Sequence, residues 1–166
     1  EIFLKATAAV KEHLSFGPWH LDVHMRKGRV LTRNFVVSSL QAFWPGLVAL
    51  TGNIEEARQA HGAYYSIWNR FRGLPELFDL ASRSVPNHGR HYLLRPELAE
   101  STMILYQKTQ DPYYLQVGHT MMMDIETRCR VECGYAVIRD VTAAVGEEEL
   151  EDRMDSFFLS ETLKYL

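Results

Sequence analysis

The apolar positions of this chain fall into a helical spacing, break, and fall into it again. Phe3, Ala6, Val10 and Leu14 recur at steps of three and four and predict a first helix that runs out before Gly17-Pro18. The period then shortens to two. Leu21, Val23 and Met25 alternate with His20, Asp22 and His24, which predicts a strand that Arg26-Lys27-Gly28 turns towards Val30-Leu31. Ser38 to Leu50 reads as an apolar helix interrupted at Pro45-Gly46, and Thr51-Gly52-Asn53 as a tight turn. The clearest helix follows: Asn53 caps it, Glu55 and Glu56 fill its first turn, and Ile54, Ala57, His61, Tyr64, Trp68 and Phe71 form one stripe. Arg70 and Arg72 complement its negative end before Gly73 stops it. Residues 74 to 91 hold Pro75, Pro86 and Gly89 with no sustained period, a long loop of the kind that often carries function.

The pattern then repeats. A helix runs from Pro96, whose missing N–H costs nothing at the first helical position, to about Lys108. After the turn Thr109-Gln110-Asp111, a second helix is capped by Asp111 and opened by Pro112, with Leu115, Met122, Ile125 and Cys129 on its apolar stripe. Thr51 and Thr109 occupy equivalent turns 58 positions apart (109 minus 51), so the unit is a helical hairpin. An extended piece from Tyr135 to Val141 and a polar loop from Gly146 to Glu149 lead to a last helix opened by Asp152 to Phe158. If the hairpins stack around an axis, three polar helix starts lie at one end: Ser38-Ser39-Leu40-Gln41, Arg95-Pro96-Glu97, and Asp152 to Phe158.

The second of these starts carries the most chemistry. Glu97 and Glu100 share one helix face, where unpaired backbone N–H groups and the dipole favour the ionised form, and Arg95 can clamp a neighbouring carboxylate. Two acids and an arginine suit the binding of hydroxyls or the activation of a water; an ordinary acidic first turn would look the same. Phe43, Trp44, Phe157 and Phe158 follow the polar starts. Rings that stack on a sugar beside paired carboxylates make a carbohydrate site, although core packing uses the same rings. His20, Asp22 and His24 would share a strand face able to hold a metal, and the solvated face of a hairpin gives the same alternation.

Composition narrows the class. With 166 residues, 46% hydrophobic and 23% charged, the chain reads as a globular protein of one domain or part of one. A net charge of -3 with no basic run argues against a nucleic-acid partner, and no apolar run reaches membrane-spanning length. Helical patterns run into both ends, so the chain reads as a segment, and a missing signal peptide then says nothing of its compartment. Cys129 and Cys133 stand four apart with Gly134 ending the helix near the second. They read as two unrelated thiols, or as one bonded to a part of the protein outside this chain. No Asn-X-Ser/Thr acceptor occurs.

At its long motifs the sequence resembles a known family. Leu94-Arg95-Pro96-Glu97-Leu98-Ala99-Glu100-Ser101 and the stretch from Asp152-Arg153-Met154-Asp155-Ser156-Phe157-Phe158 to Leu166 resemble glycoside hydrolase family 47, the class I α-1,2-mannosidases. Ser39-Leu40-Gln41-Ala42-Phe43-Trp44-Pro45-Gly46-Leu47 and Cys133-Gly134-Tyr135-Ala136 are similar to its ER degradation-enhancing α-mannosidase-like branch. The resemblance covers nearly the whole chain. It implies an all-α fold, part of an (α/α)7 barrel of helical hairpins with short β-hairpins in the connecting loops. Residues 1–166 would form a single partial domain from the later-middle part of that barrel.

The resemblance further implies inverting removal of α-1,2-linked mannose from high-mannose N-glycans on misfolded glycoproteins, in the endoplasmic reticulum lumen, with a Ca2+ ion that holds sugar hydroxyls. By position Glu97 matches the family's proposed catalytic base, and Arg95 and Glu100 match residues that line the sugar subsite. Asp155 stands where most members have glutamate, which retracts the charge by one methylene; Asp155 and Glu100 would meet the calcium through water. Phe43 and Phe157 complete the substrate-binding set. Ser38 and Ser39 replace an acidic residue and a histidine of the mannosidases proper. The family's general acid, a further catalytic aspartate and its calcium-binding threonine belong to parts of the barrel outside this chain, so the segment alone is expected to be inactive. It is also expected to need its barrel neighbours for stability. Cys133 is implied to form a disulfide with a cysteine outside the segment, Cys129 staying free or pairing with an oxidoreductase such as a protein disulfide isomerase. The alternative is a lectin-like receptor that holds mannose without cleaving it, and a helical scaffold is a third reading. Glu97 and Glu100 favour chemistry, because a lectin needs no positioned base.

Overall fold

The computed structural model describes residues 1–30 and 35–166. Two helix pairs form its body: α2 (Trp44–Leu50) with α3 (Ile54–Phe71), and α4 (Glu97–Thr109) with α5 (Pro112–Cys129), preceded by α1 (Ile2–His13). The turns between paired helices are built by their caps. The Asn53 side chain accepts from the Glu56 N–H at 3.4 Å, and Asp111 accepts from the Tyr113 N–H at 3.0 Å with Pro112 in the first turn. Both α3 and α4 end on a left-handed residue that is not glycine, Arg72 (φ 50) and Gln110 (φ 56), each donating its N–H back into the last turn. Gly73 is therefore not the stop of α3; it lies one residue beyond, against the ring of Tyr92.

Helix α2 packs on both α3 and α4, and α4 on α5. The approach of α2 to α4 is close because Ser101 bridges them. Its Oγ donates to the Ala42 carbonyl at 2.6 Å and accepts the Gly46 N–H at 2.9 Å, and a Cβ at Gly46 would stand 3.0 Å from Ile104. Trp44, Val48, Ala57, Ala60, Leu105 and Tyr114 fill that seam. A larger cluster runs through Tyr64, Trp68, Tyr92, Leu98, Met121, Ile125, Val137 and Phe158, beneath the start of α4.

Short strands staple the connections. β1 (Ser15–Phe16) and β2 (Trp19–His20), like β5 (Arg130–Val131) and β6 (Gly134–Tyr135), are local hairpins. β3 (Val36–Ser38) pairs antiparallel with the distant β4 (Leu77–Asp79), and β7 (Val137–Ile138) with β8 (Leu150–Glu151). The stretch 74–91 is thus ordered by β4 and by a 3-10 turn at Asn87–Gly89. Gly89 is obligatory there, since a Cβ would lie 2.4 Å from the Cβ of Leu77.

Several sequence expectations need correction. The alternation from Leu21 to Met25 yields a single bridge, Val23 to Val30, with Leu31 outside the described residues. The His20 ring lies tilted against Trp44 with centroids 4.4 Å apart, His24 Nδ1 accepts the Arg26 N–H, and no cluster able to hold a metal occurs among the described residues. Pro45 does not interrupt a helix: a 3-10 segment, Ser39–Phe43, precedes it, and Pro45 lies in the first turn of α2, where a missing N–H is harmless. On α5, Ile125 and Cys129 are buried as the stripe requires, but Leu115 and Met122 are exposed. The buried face runs instead through Tyr114, Val117, Met121, Asp124 and Arg128. Two of these are charged, so an apolar count misses them. Asp124 accepts from Trp68 Nε1 at 2.9 Å and Arg72 Nε at 2.7 Å; Arg128 pairs with Glu148 at 2.5 Å and donates to the Phe71 carbonyl.

Candidate active site

The start of α4 sits where three connections meet. Glu76 is held first through its backbone: its N–H donates to the His91 carbonyl at 3.0 Å, and its carbonyl accepts the Ser39 N–H at 3.0 Å. Its side chain closes the corner. Arg95 grips it with both arms of the guanidinium, Nε to Oε1 at 2.6 Å and Nη2 to Oε2 at 2.8 Å, and the Ser39 hydroxyl donates to Oε1 at 3.0 Å. This hydrogen bonding to Glu76 raises Arg95 further above its already high pKa. The first and second polar helix starts are therefore physically joined, through a residue that the sequence reading left inside an unassigned loop.

Glu97 follows two residues later. Its Oε2 is buried and has no hydrogen-bond partner. Burial holds its carboxyl above the usual glutamate range, opposed by its own backbone N–H and Arg95 and reinforced by the charges of Glu76 and Glu161. A buried carboxylate oxygen without a donor is rare in a purely structural role. Glu100 lies one turn on, half-buried, its N–H bonded to the Pro96 carbonyl. Asp155, at the third helix start, is paired with Arg153 at 2.7 Å and lies close enough for its charge to act on Arg95. Phe43 keeps 44% of its surface exposed and Phe157 is half-buried, whereas Trp44 and Phe158 are spent on packing.

Beside this corner opens a cleft of about 420 Å³, walled by Ser38, Glu76, Leu77, His88, His91, Leu93, Glu151 and Arg153. Arg95, Glu97, Glu100, Asp155, Phe43 and Phe157 do not wall it themselves; Glu76 and Arg153 connect it to Arg95 and Asp155. Glu76 and Glu161 are the acids that sequence reasoning missed. A signal for Glu76 was present: Pro75-Glu76 repeats the Pro96-Glu97 pair in a loop with no helical period to explain it. Of the thiols, Cys129 is buried and its pKa is pushed up to about 12, and Cys133 stands exposed on the β5–β6 turn.

A family model for glycosyl hydrolase family 47 matches residues 1–166. The chain belongs to glycosyl hydrolase family 47. Its relatives in that family include ER degradation-enhancing alpha-mannosidase-like protein 2 of Homo sapiens, 41% identical over 165 residues, which span 99% of this chain and 28% of that protein. Alpha-mannosidase I MNS5 of Arabidopsis thaliana is likewise 41% identical, with 99% and 28% covered. The chain thus spans little more than a quarter of these relatives' length. The fold is that of a solved structure, the alpha-1,2-mannosidase from Trichoderma reesei, at a TM-score of 0.79 and 22% identity over 98% of this chain and 40% of that one. The helix pairs are therefore a segment of an (α/α)7 barrel.

Proposed function

We propose that this chain supplies the base side of an inverting α-1,2-mannosidase site, which trims high-mannose N-glycans on misfolded glycoproteins in the endoplasmic reticulum lumen. The names of its relatives support the pathway, and one observation carries the chemistry. Glu97 Oε2 is a buried acceptor without a donor, beside a corner braced by the Arg95–Glu76 clamp. A water seated on that oxygen would satisfy it, and the water's lone pair would be free to attack an anomeric carbon. An inverting enzyme needs its acid about 6.5–9.5 Å from its base, and on this reading that acid would be supplied by barrel segments outside residues 1–166.

A calcium ion would meet these residues through its water shell: the orphaned Glu97 oxygen, with the carboxylates of Glu100 and Asp155, would accept from calcium-bound waters. The ion would supply a positive centre for sugar hydroxyls. Phe43 and Phe157 keep enough exposed ring to stack on a hexose, and Arg95, Glu100 and Asp155 would bind its hydroxyls. Exposed Cys133 would form the disulfide to a cysteine outside the segment, whereas Cys129, expected to stay free or to meet an oxidoreductase, is buried and would stay free. The test is the anomeric form of mannose released by the full-length protein, followed by proton NMR before mutarotation. β-Mannose from the α-linked substrate supports the inverting site; α-mannose contradicts it, and tight glycan binding without release favours the lectin-like receptor.

A further inference from the structure

The helical threonines of this chain share a habit. Thr7, Thr102, Thr109, Thr120 and Thr127 each turn the hydroxyl back onto the carbonyl four residues earlier. Thr162 does not. Its Oγ1 donates at 2.7 Å to the carbonyl of Leu94, 68 residues away, and the residue is fully buried. The local winding differs too, because Phe158–Thr162 is wound as a π-helix in which the Phe158 carbonyl accepts the Leu163 N–H. Such stretches concentrate at functional sites.

The acceptor end is as unusual. Leu94 is fully buried with a left-handed backbone, φ 60, a conformation that a leucine holds only when its surroundings enforce it. Two restraints do so. Tyr92 is bridged to Ile138 on one side, N–H to carbonyl in both directions, and Thr162 holds the Leu94 carbonyl on the other. The residue that follows is Arg95, and Glu97 lies two further on. The turn at Leu94 is thus what changes the chain's direction from the Tyr92 bridge into the start of α4.

We propose that Thr162 is a positioning residue for this site: its hydroxyl locks the left-handed turn at Leu94 and thereby sets where Arg95 and Glu97 point. The assignment rests on the glycosidase reading for its kinetic test, but the geometry it asserts does not. A misplacement of about 1 Å at a reacting group costs on the order of a hundredfold in rate, so loss of one remote hydroxyl is measurable.

The experiment compares the full-length protein with Thr162→Val, which keeps the shape and loses the donor, and Thr162→Ser, which keeps the donor. Mannose release and the affinity for an oligomannose glycan are both measured. Thr162→Val is expected to lose about tenfold to a hundredfold in kcat and to bind the glycan more weakly, because Arg95 shifts together with Glu97, and Thr162→Ser to stay within about threefold of the parent in both. Equal kcat in parent and Thr162→Val overturns the proposal, as does an equal loss in both variants. If the parent releases no mannose, the glycosidase reading fails and affinity decides the positioning claim. Binding weakened by Thr162→Val and restored by Thr162→Ser upholds it; unchanged binding overturns it. Should Thr162→Val not fold, Thr162→Ala takes its place, and failure of both makes the hydroxyl a determinant of folding rather than of the site.

Discussion

Arg95 binds Glu76 through two parallel hydrogen bonds of 2.6 and 2.8 Å, and this fork joins the start of α4 to the loop that precedes it by some twenty residues. A lysine carries the same charge but cannot present two donors in one plane. Arg95→Lys should destabilise the protein by about 1–2 kcal/mol and lower kcat/KM for mannose release by roughly tenfold in the full-length protein. Urea unfolding and steady-state kinetics check the two halves separately.

The buried pair Arg128–Glu148 has a structural and not a chemical task. Arg128 ties the end of α5 to Glu148 and to the carbonyls of Phe71, Val141 and Ala143. Arg128→Met would strand a carboxylate that is only 6% exposed, at a cost of about 3–5 kcal/mol. Activity per folded molecule should not change, which activity normalised to the folded fraction measures.

Gly89 presses its backbone onto Leu77, next to Glu76. Gly89→Ala should cost about 1–3 kcal/mol, because the neighbour it meets is a Cβ with little room to move. Hydrogen exchange at Leu77 to Asp79 should rise in that variant, since the strained residues are those that pair with Val36 to Ser38.

Acid should loosen the α3–α4 contact. His61 is buried, its Nε2 lies 2.8 Å from the Thr102 hydroxyl, and burial lowers its pKa to about 4 from 6.5. The neutral form is the one the fold accepts, so its contribution is complete above pH 6.5 and is lost as the pH falls towards 4. At pH 5 the loss is about 2 kcal/mol relative to pH 7. Unfolding free energies at the two pH values check this, and His61→Gln should flatten the difference.

The hairpins were legible because each of their signals is local. Asn53, Asp111 and Pro112 act within one turn, and the structure has them capping and opening the helices that the periodicity outlines. The place of Glu97 and Glu100 in the first turn of α4 was legible for the same reason. What escaped depends on pairing at long range. Glu76 matters through a residue 19 positions away, Thr162 through one 68 away, and Asp124 and Arg128 occupy core positions that only their distant partners make tolerable. The alternation at Leu21 to Met25 failed from the opposite side: period two is a strand only where a partner strand runs beside it, and here a single bridge does.

Glu97 is the proposed base of this site. The most direct measurement is mannose release from an oligomannose glycoprotein by the full-length protein and its Glu97→Gln variant, with calcium present and glycan binding followed in parallel. The amide keeps the shape and removes the acceptor that activates water, so release should fall by about a thousandfold with binding kept. Equal release from both proteins would contradict the account; equal and negligible release with tight binding would make the site a receptor.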